Sequence, residues 1–424
     1  MSQGYRVYGY RWVVLAAVMF VNFTIQMLWI AYAPITSVAA SYYGVSDLAV
    51  GFLAMSFMIV FVVMSLPAAW LIDTKGFRLA VGLGGVLAAA GGVARGLAGD
   101  DYTLVLLATL AIAVGQPFLL NAWTKMPAHW FDRRQRATAV GLTTLASMLG
   151  IAAGMALTPP LADALSIASV QLVYGLLAAA GAAVFLAVAR ERPATPPGPP
   201  GEDERVLMLD GLKHALRVRP FLIMLLVAFI VMSTFNGVTT WVEQIIKPRG
   251  FSPTEAGTMG ALMLVAGVIG AVVLSALSDR SGHRVRFMVV ALAASVPGVL
   301  GIAFAQSALL LYAFAALLGF FLVAVLPVGM QYAAEIATPT PEGTSTGLIQ
   351  LCGQVSVVSV YVMEALRTGG GSFWVSLALA AGLLAVMAVV LSRLRDPGTA
   401  AASAAPADAA GLVPATEGAG PEGE

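Results

Sequence analysis

Twelve apolar stretches follow one another along this chain, at approximately residues 12–35, 48–72, 79–98, 103–126, 136–158, 166–189, 220–246, 254–278, 285–305, 308–336, 345–366 and 371–392. A hydrocarbon core about 30 Å thick takes roughly 20 helical residues to cross, and a backbone with no water to bond must satisfy itself as helix. The expected fold class is therefore an all-α integral membrane protein. Composition agrees, because 59% hydrophobic and 11% charged residues leave too little polar surface to clothe a water-soluble globule of 424 residues. The formal net charge of +1 supplies no basic stripe for nucleic acid. A single cysteine, Cys352, excludes an internal disulfide and any multi-cysteine metal site. No nucleophile, metal cluster or phosphate loop points to an enzyme, and no cofactor is expected. The apolar run behind Arg6 and Arg11 is too long for a signal-peptide core and reads as the first span.

Between the sixth and seventh spans, ERPATPPGPPGEDER is too rich in Pro, Gly and charge to pack. It leads into Val206–Arg219, where Leu207, Leu209, Leu212 and Leu216 against Asp210, Lys213, Arg217 and Arg219 predict an interfacial helix. The expected division is an N-terminal bundle at 1–192, a linker at 193–219, a C-terminal bundle at 220–396 and a disordered tail at 397–424. Positive charge gathers in the turns on one side, at Lys75, Arg78, Arg133, Arg134, Arg136, Arg280, Arg284 and Arg286. The other side keeps Arg95, Lys247, Arg249 and Arg367. By the positive-inside rule both termini and the linker are expected in the cytoplasm, on a multi-pass protein of the cell membrane.

The two halves repeat. Asp73-Thr74-Lys75-Gly76-Phe77-Arg78 after the second span returns as Asp279-Arg280-Ser281-Gly282-His283-Arg284 after the eighth, and 279 − 73 is 206. Gly141-Leu142 returns as Gly347-Leu348 at the same offset, 347 − 141. A constant displacement across separate spans predicts a duplicated six-helix unit, hence two pseudo-symmetric six-helix bundles. In each turn Gly permits the reversal, Asp is placed to accept hydrogen bonds at a helix start, and Arg to pair with carboxylates of neighbouring helix ends. Asp73, Gly76, Arg78, Asp279, Gly282 and Arg284 are therefore the candidate conformational latches.

Polar residues at bilayer depth are costly and mark either helix contacts or a solute path. Asn22, Gln26 and Trp29 share one face of the first span, Gln116, Leu120 and Trp123 one face of the fourth, and Gln350 and Gln354 one face of the eleventh. Asn236, Thr239 and Thr240 sit beside Gly237 in the seventh. As a set spread over corresponding helices, these read as the lining of a central cavity. No Asp, Glu, Lys or His falls near the middle of a span: Asp47, Glu243 and Glu364 lie toward the outer side, and Asp73, Lys125, His129 and Glu335 toward the inner. A neutral or singly charged cationic solute suits such a lining, with aromatic faces available for cation–π attraction. At the inner ends, Lys125 and Glu335 have two readings, a gate pair meeting across the bundles or residues that each snorkel to the interface.

The stretch Pro327–Gln354, with Gln331 and Glu335 before the Pro339 and Pro341 turn and Gln350 and Gln354 after it, is the most distinctive in the chain. The two D-x-x-G-x-R turns resemble the loop signature of the major facilitator superfamily. Within that superfamily, LLGFFLVAVLPVGMQYAAEIATPTPEGTSTGLIQLCGQ is similar to the feline leukaemia virus subgroup C receptor-related (FLVCR) family. WIAYAPITSV, PAAWLIDTKGFRL and VAGVIGAVVLSALSD are similar to the same family. The resemblance implies twelve helices in two bundles, working by alternating access on choline- or ethanolamine-type solutes, with haem export also associated with the family. It implies that Trp29, Gln116 and Gln354 match the aromatic and glutamine positions around the substrate, and that Asn236 stands where the family has a tyrosine. Trp241 would replace that ring only if the seventh span breaks at Gly237. The partners expected are a small solute and the lipid bilayer, with the chain as a monomer. Proton-driven efflux of drug-like or organic-acid substrates, or a sensor on the same scaffold, are the alternative functions.

Overall fold

The computed structural model describes residues 8–132, 135–195, 216–337, 342–368, 370–394 and 396, with 342–346 described by backbone alone. Twelve helices in it are long and apolar enough to cross a membrane. They are α1 (Arg11–Ile30), α2 (Asp47–Lys75), α3 (Phe77–Leu97), α4 (Tyr102–Leu120), α5 (Arg136–Ala164), α6 (Ile167–Val188), α7 (Arg219–Thr240), α8 (Pro253–Ser281), α9 (Arg284–Phe304), α10 (Ala308–Ile336), α11 (Glu342–Val355, resumed as Val357–Ala365) and α12 (Trp374–Leu391). No strand occurs among the described residues. The expected interfacial helix, the Pro339 and Pro341 turn and the C-terminal tail fall mainly outside them.

Sequence chemistry sets the helix ends. Ser46, Asp101, Ser166, Ser252 and Ser307 each accept a backbone N–H in the first turn of α2, α4, α6, α8 and α10, so these five even-numbered helices start on side-chain caps at one common end of the molecule, whereas α12 begins without one. At the other end, here called the basic end, Gly76 and Gly282 adopt φ of 92° and 70°, values that an L side chain resists. The repeated turns need their glycines for this reason.

Besides α11, three helices are interrupted. α1 gives way to a 3-10 turn, Ala33–Ile35, and resumes as Thr36–Tyr43, because Pro34 has no N–H to continue the ladder. α7 breaks at Trp241 before a short helix, Val242–Ile246, and a 3-10 turn, Lys247–Arg249; Gly237 lies within the unbroken helix, so the condition for Trp241 to replace the ring is not met. α4 likewise ends in a turn before the short helix Lys125–Trp130.

The first six helices pack mainly among themselves, α1 on α5 and α6, α3 on α4 and α6, and α2 on α4. The last six do the same, α8 and α9 on α10, α9 on α12 and α7 on α10 and α11. α5 meets α8, and α2 meets α11, where the two bundles join. The repeat is visible in the boundaries, since 253 − 47 and 281 − 75 for the ends of α8 and α2 are both 206.

Arg95 corrects one sequence expectation. It was grouped with the charges of the outer surface, yet it is 1% exposed inside the first bundle. Its guanidinium donates to the Leu28 carbonyl at 2.9 Å and lies 5.0 Å from the centre of the Tyr32 ring. Carbonyl dipole and ring face together offset the loss of water around the cation. The side chain thus ties α3 to α1 just before the α1 interruption.

Small residues let the helices approach, since lipid gives apolar side chains no hydrophobic incentive to associate. The crossing of α3 and α6 is one such contact: a Cβ on Gly175 would sit 2.3 Å from a backbone carbon of Gly92. Gly175→Val is therefore expected to lower thermal stability in detergent by about 1–3 kcal/mol equivalent. Gly141→Ala, whose added methyl meets nothing within 4 Å, should leave the melting midpoint unchanged. Fluorescence-detected size exclusion after heating reads both.

Candidate functional site

The polar face predicted on α1 is occupied level by level. Asn22 accepts from the Trp123 indole N–H at 2.7 Å. One turn on, Gln26 accepts from the Gln116 amide at 2.8 Å. Trp29, 7% exposed, donates its indole N–H to the Ala54 carbonyl at 3.1 Å, which pins the ring edge to α2 and fixes the orientation of its face. Gln26, Trp29 and Gln116 are thus brought together among α1, α2 and α4, all buried. Each amide finds a partner inside the protein, which is what makes it tolerable there.

In the second bundle, Asn236 is 6% exposed and donates to Ser356 Oγ at 2.9 Å, across from α7 to the interruption of α11. Ser233 and Ser359 pair at 2.6 Å in the same seam. Gln354 is half-buried and Gln350 exposed. Trp241 does not supply the missing aromatic: its ring is wholly buried, its N–H donates to the Val360 carbonyl at 3.1 Å, and its benzo edge lies against Gly51 of α2.

At the basic end the latches pair within their own bundles. Lys125 bonds Asp73 at 2.7 Å. Arg284 bonds Asp279 at 2.8 Å and Glu335 at 2.7 Å. Of the two readings of Lys125 and Glu335, the pair across the bundles is not formed, because each residue has a partner nearer to hand on its own repeat. Nor do the motif aspartates cap the following helices. Glu191, at the start of the Pro- and Gly-rich stretch, accepts from the backbone N–H of Phe77 and Arg78 at 3.1 and 2.8 Å and caps α3. Asp396 accepts from Val285 at 2.8 Å and does the same for α9.

At the opposite end the contacts run between bundles. Ser37, in the piece that resumes α1, donates its backbone N–H to Glu243 Oε2 at 2.8 Å and its hydroxyl to Oε1. Arg367 reaches Asp47 at 3.5 Å, while also holding Glu364 and Gln244. Gly51 receives the Trp241 ring so closely that a Cβ there would lie 2.6 Å from it. Around these contacts an open vestibule of about 640 Å³ is lined by Ser41, Asp47, Lys247, Glu364 and Arg367 among others. The sequence places Glu243 toward the outer side without a partner, yet the signal for Ser37 is present, since 243 − 37 is 206, the repeat offset.

Two bundles of six membrane helices, joined at one end and holding paired, buried neutral amides, have the architecture of a membrane transporter. The family model of the Major Facilitator Superfamily matches residues 16–252 and 243–419, and the chain belongs to that superfamily. It is 30% identical over 379 residues to solute carrier family 49 member A3 of Xenopus tropicalis, covering 85% of this chain and 78% of that one. It is 27% identical over 370 residues to the choline/ethanolamine transporter FLVCR1 of Felis catus, covering 81% and 65%. Against the choline/ethanolamine transporter flvcr2a of Danio rerio it is 26% identical over 382 residues, covering 85% and 81%. The chain is thus related to the FLVCR transporters, as its spans suggest. A crystal structure of a bacterial homologue of the human lysosomal transporter Spinster, inward-facing and unoccupied, shares the fold with a TM-score of 0.66 at 15% identity, covering 91% of this chain and 96% of that one.

The Glu191 cap gives the basic end a pH dependence. Burial alone would raise its pKa, but hydrogen bonds from His129 and from the N–H groups of Arg78 and Phe77 outweigh this and hold the carboxyl below its ordinary range. A depressed folded-state pKa means that its contribution to stability is present above the ordinary carboxylate range and is lost as pH falls through the folded value. The melting midpoint of the wild type should therefore fall more steeply than that of Glu191→Gln as pH is lowered below about 4.5, and parallel profiles would contradict the assignment.

Proposed function

We propose that this chain carries a small organic solute, neutral or singly positive and of the choline or ethanolamine kind, by alternating exposure between its two bundles and without a coupling ion. The observation that carries this reading is the buried pair Gln26–Gln116, joined at 2.8 Å beside Trp29, which offers a solute neutral dipoles and one oriented aromatic face. An ammonium group over such a face gains about 1–2 kcal/mol when water is excluded. The names borne by the FLVCR relatives point to the same solute class. Gln354, half-buried on α11, supplies the amide from the second bundle, and Gln350 a polar position one turn nearer the basic end. Asn236, spent on Ser356, acts through the shape of the α11 interruption rather than as a direct ligand.

The cycle follows from where the bundles touch. Ser37–Glu243, Asp47–Arg367 and Trp241–Gly51 close the end away from the repeated turns, so the site faces the basic end. Reversal requires these contacts to part and the inner latches at Asp73, Gly76, Arg78, Asp279, Gly282, Arg284, Lys125 and Glu335 to exchange partners. With the basic end cytoplasmic, as the positive-inside rule gives, the arrangement faces the cytoplasm in the cell membrane.

In purified protein, Trp29→Ala is expected to abolish choline binding while Trp29→Phe keeps part of it, a difference of about tenfold or more in Kd. Equal binding by the two variants would remove the aromatic from the site. In proteoliposomes, an imposed pH gradient should not drive accumulation beyond equilibrium; accumulation that follows the gradient would establish proton coupling.

The closing contact predicts its own signature. Gly51→Ala obstructs the seat of Trp241 and should slow uptake roughly tenfold, with Trp241→Leu in the same chain restoring part of the rate. Unchanged uptake by Gly51→Ala would show that the bundles close elsewhere.

A further inference from the structure

The closed end contains an ionisable group for which solute passage has no use. Glu243 lies past the end of α7, in the short helix Val242–Ile246, and is 1% exposed. Both of its carboxylate oxygens are bonded by one residue of the other bundle, Ser37, through N–H and hydroxyl. The two residues stand at equivalent positions of the repeat, 243 − 37 being 206. Equivalent positions of two repeats touch only near the pseudo-two-fold axis, so this clasp sits where the bundles must separate if that end is to open. Opening then exchanges Ser37 for water around the carboxylate. A neutral amide or hydroxyl at this position could bond Ser37 with a far smaller cost of drying.

We propose that Glu243 is the proton-binding site of the gate: the protonated carboxyl favours the closed clasp, the carboxylate favours the open, hydrated end, and the pH on that face sets how often the solute site opens to it. The proposal rests on the alternating-access reading above.

The surroundings of Glu243 support this direction. Burial is the largest influence on its carboxyl and acts to raise its pKa. The bonds from Ser37 and the charge of Lys247 act the other way, Asp47 adds to the rise, and the balance leaves the group above its ordinary range. The remaining charges of the packed elements are engaged elsewhere. Arg367 holds Asp47, Glu364 and Gln244, and Arg249 donates to the Ala305 and Ile245 carbonyls. Glu255 is bonded by Ser252 in the α8 capping box. Of the titratable groups on the resumed part of α1, Tyr43 bonds Tyr32 and Tyr42 packs edge-on against the Tyr43 ring. The charged residues of α9, Arg284 and Arg286, stand at its basic end.

The closed clasp survives protonation chemically. One carboxyl oxygen carries the proton and donates it to Ser37 Oγ, while the other still accepts the Ser37 N–H. A group whose pKa is higher in the closed form than in water favours closure as pH falls, by at most about tenfold per pH unit for one proton. The proton arrives as the gate closes and leaves by the same face as it reopens, so none crosses with the solute.

The test uses the full chain in lipid nanodiscs, with Cys352→Ala and spin labels on Ser41→Cys and Pro248→Cys, exposed positions that flank the clasp on the two bundles. Pulsed electron paramagnetic resonance reads the proportion of short to long label distances from about pH 8 to about pH 5. The wild type should shift toward the short distance as pH falls, by up to about tenfold per unit, and Glu243→Gln should stay short throughout. A wild type that does not titrate overturns the proposal, as does Glu243→Gln titrating like the wild type. Trp241→Ala separates the two levels of failure. If its labels part at every pH while the wild type does not respond, only the role of Glu243 falls. If labels never part in any variant, alternating access falls with it.

Discussion

A polar group inside a bilayer must find its partner within the protein, and most of what distinguishes this molecule from a stack of greasy helices follows from that requirement. Gln26 and Gln116 satisfy one another, Asn22 takes the Trp123 indole, and Asn236 takes Ser356 at the α11 interruption. Arg95 is the extreme case, a cation held by a carbonyl and a tyrosine ring inside the first bundle. Each bond fixes two helices in register where lipid-facing side chains cannot, because leucine gains little by leaving lipid for another leucine. The candidate solute site is therefore also a structural joint, and the residues that would meet a solute are those that already define how α1, α2 and α4 stand together.

Duplication supplies the frame, and divergence supplies two unlike halves. The repeated turns share the positive-φ glycine, and α3 and α9 both begin on a carboxylate brought from the far end of the same bundle, Glu191 and Asp396. The partners around those turns have since changed. Glu335 holds Arg284 in the second half; its equivalent, since 335 − 206 is 129, is His129, which contacts Glu191 in the first. A latch of arginine and glutamate on one side faces one of histidine and glutamate on the other. The two bundles thus share a geometry without sharing an electrostatic response.

The twelve spans and their pairing into repeats were legible because both are properties of a single segment or of a fixed offset: hydropathy over about 20 residues, and a motif that recurs 206 positions on. Side-chain partnership is neither. Lys125 and Glu335 looked suited to each other by charge and depth, yet each is bonded nearer home, to Asp73 and to Arg284. Arg95 looked like a surface charge because a helix end reads the same whether it meets water or a neighbouring ring. Trp241 illustrates the remaining difficulty. Its part depends on where the seventh span breaks, which the sequence leaves open, and the break at Trp241 itself turns the ring toward Gly51.

The closed end also limits how strongly a transporter of this kind can bind itself shut. Asp47–Arg367 is partly exposed and spans 3.5 Å, so it contributes at most about 1 kcal/mol. The Ser37 bonds to a buried carboxylate are stronger, but they recover a drying cost that the open form does not incur. Trp241 contributes most, since an indole leaving water gains more than either, and it alone is uncharged. If all three were strongly favourable, the basic end could not compete by forming its own cross-bundle contacts, and the site would face one way permanently. Placing a carboxylate in the clasp weakens closure by the cost of burying its charge and leaves the apolar contact to restore the balance. A gate poised in this way opens at an energy that neighbouring charges, or a proton, can shift by a few kcal/mol, which is the scale on which two-state elements are switched.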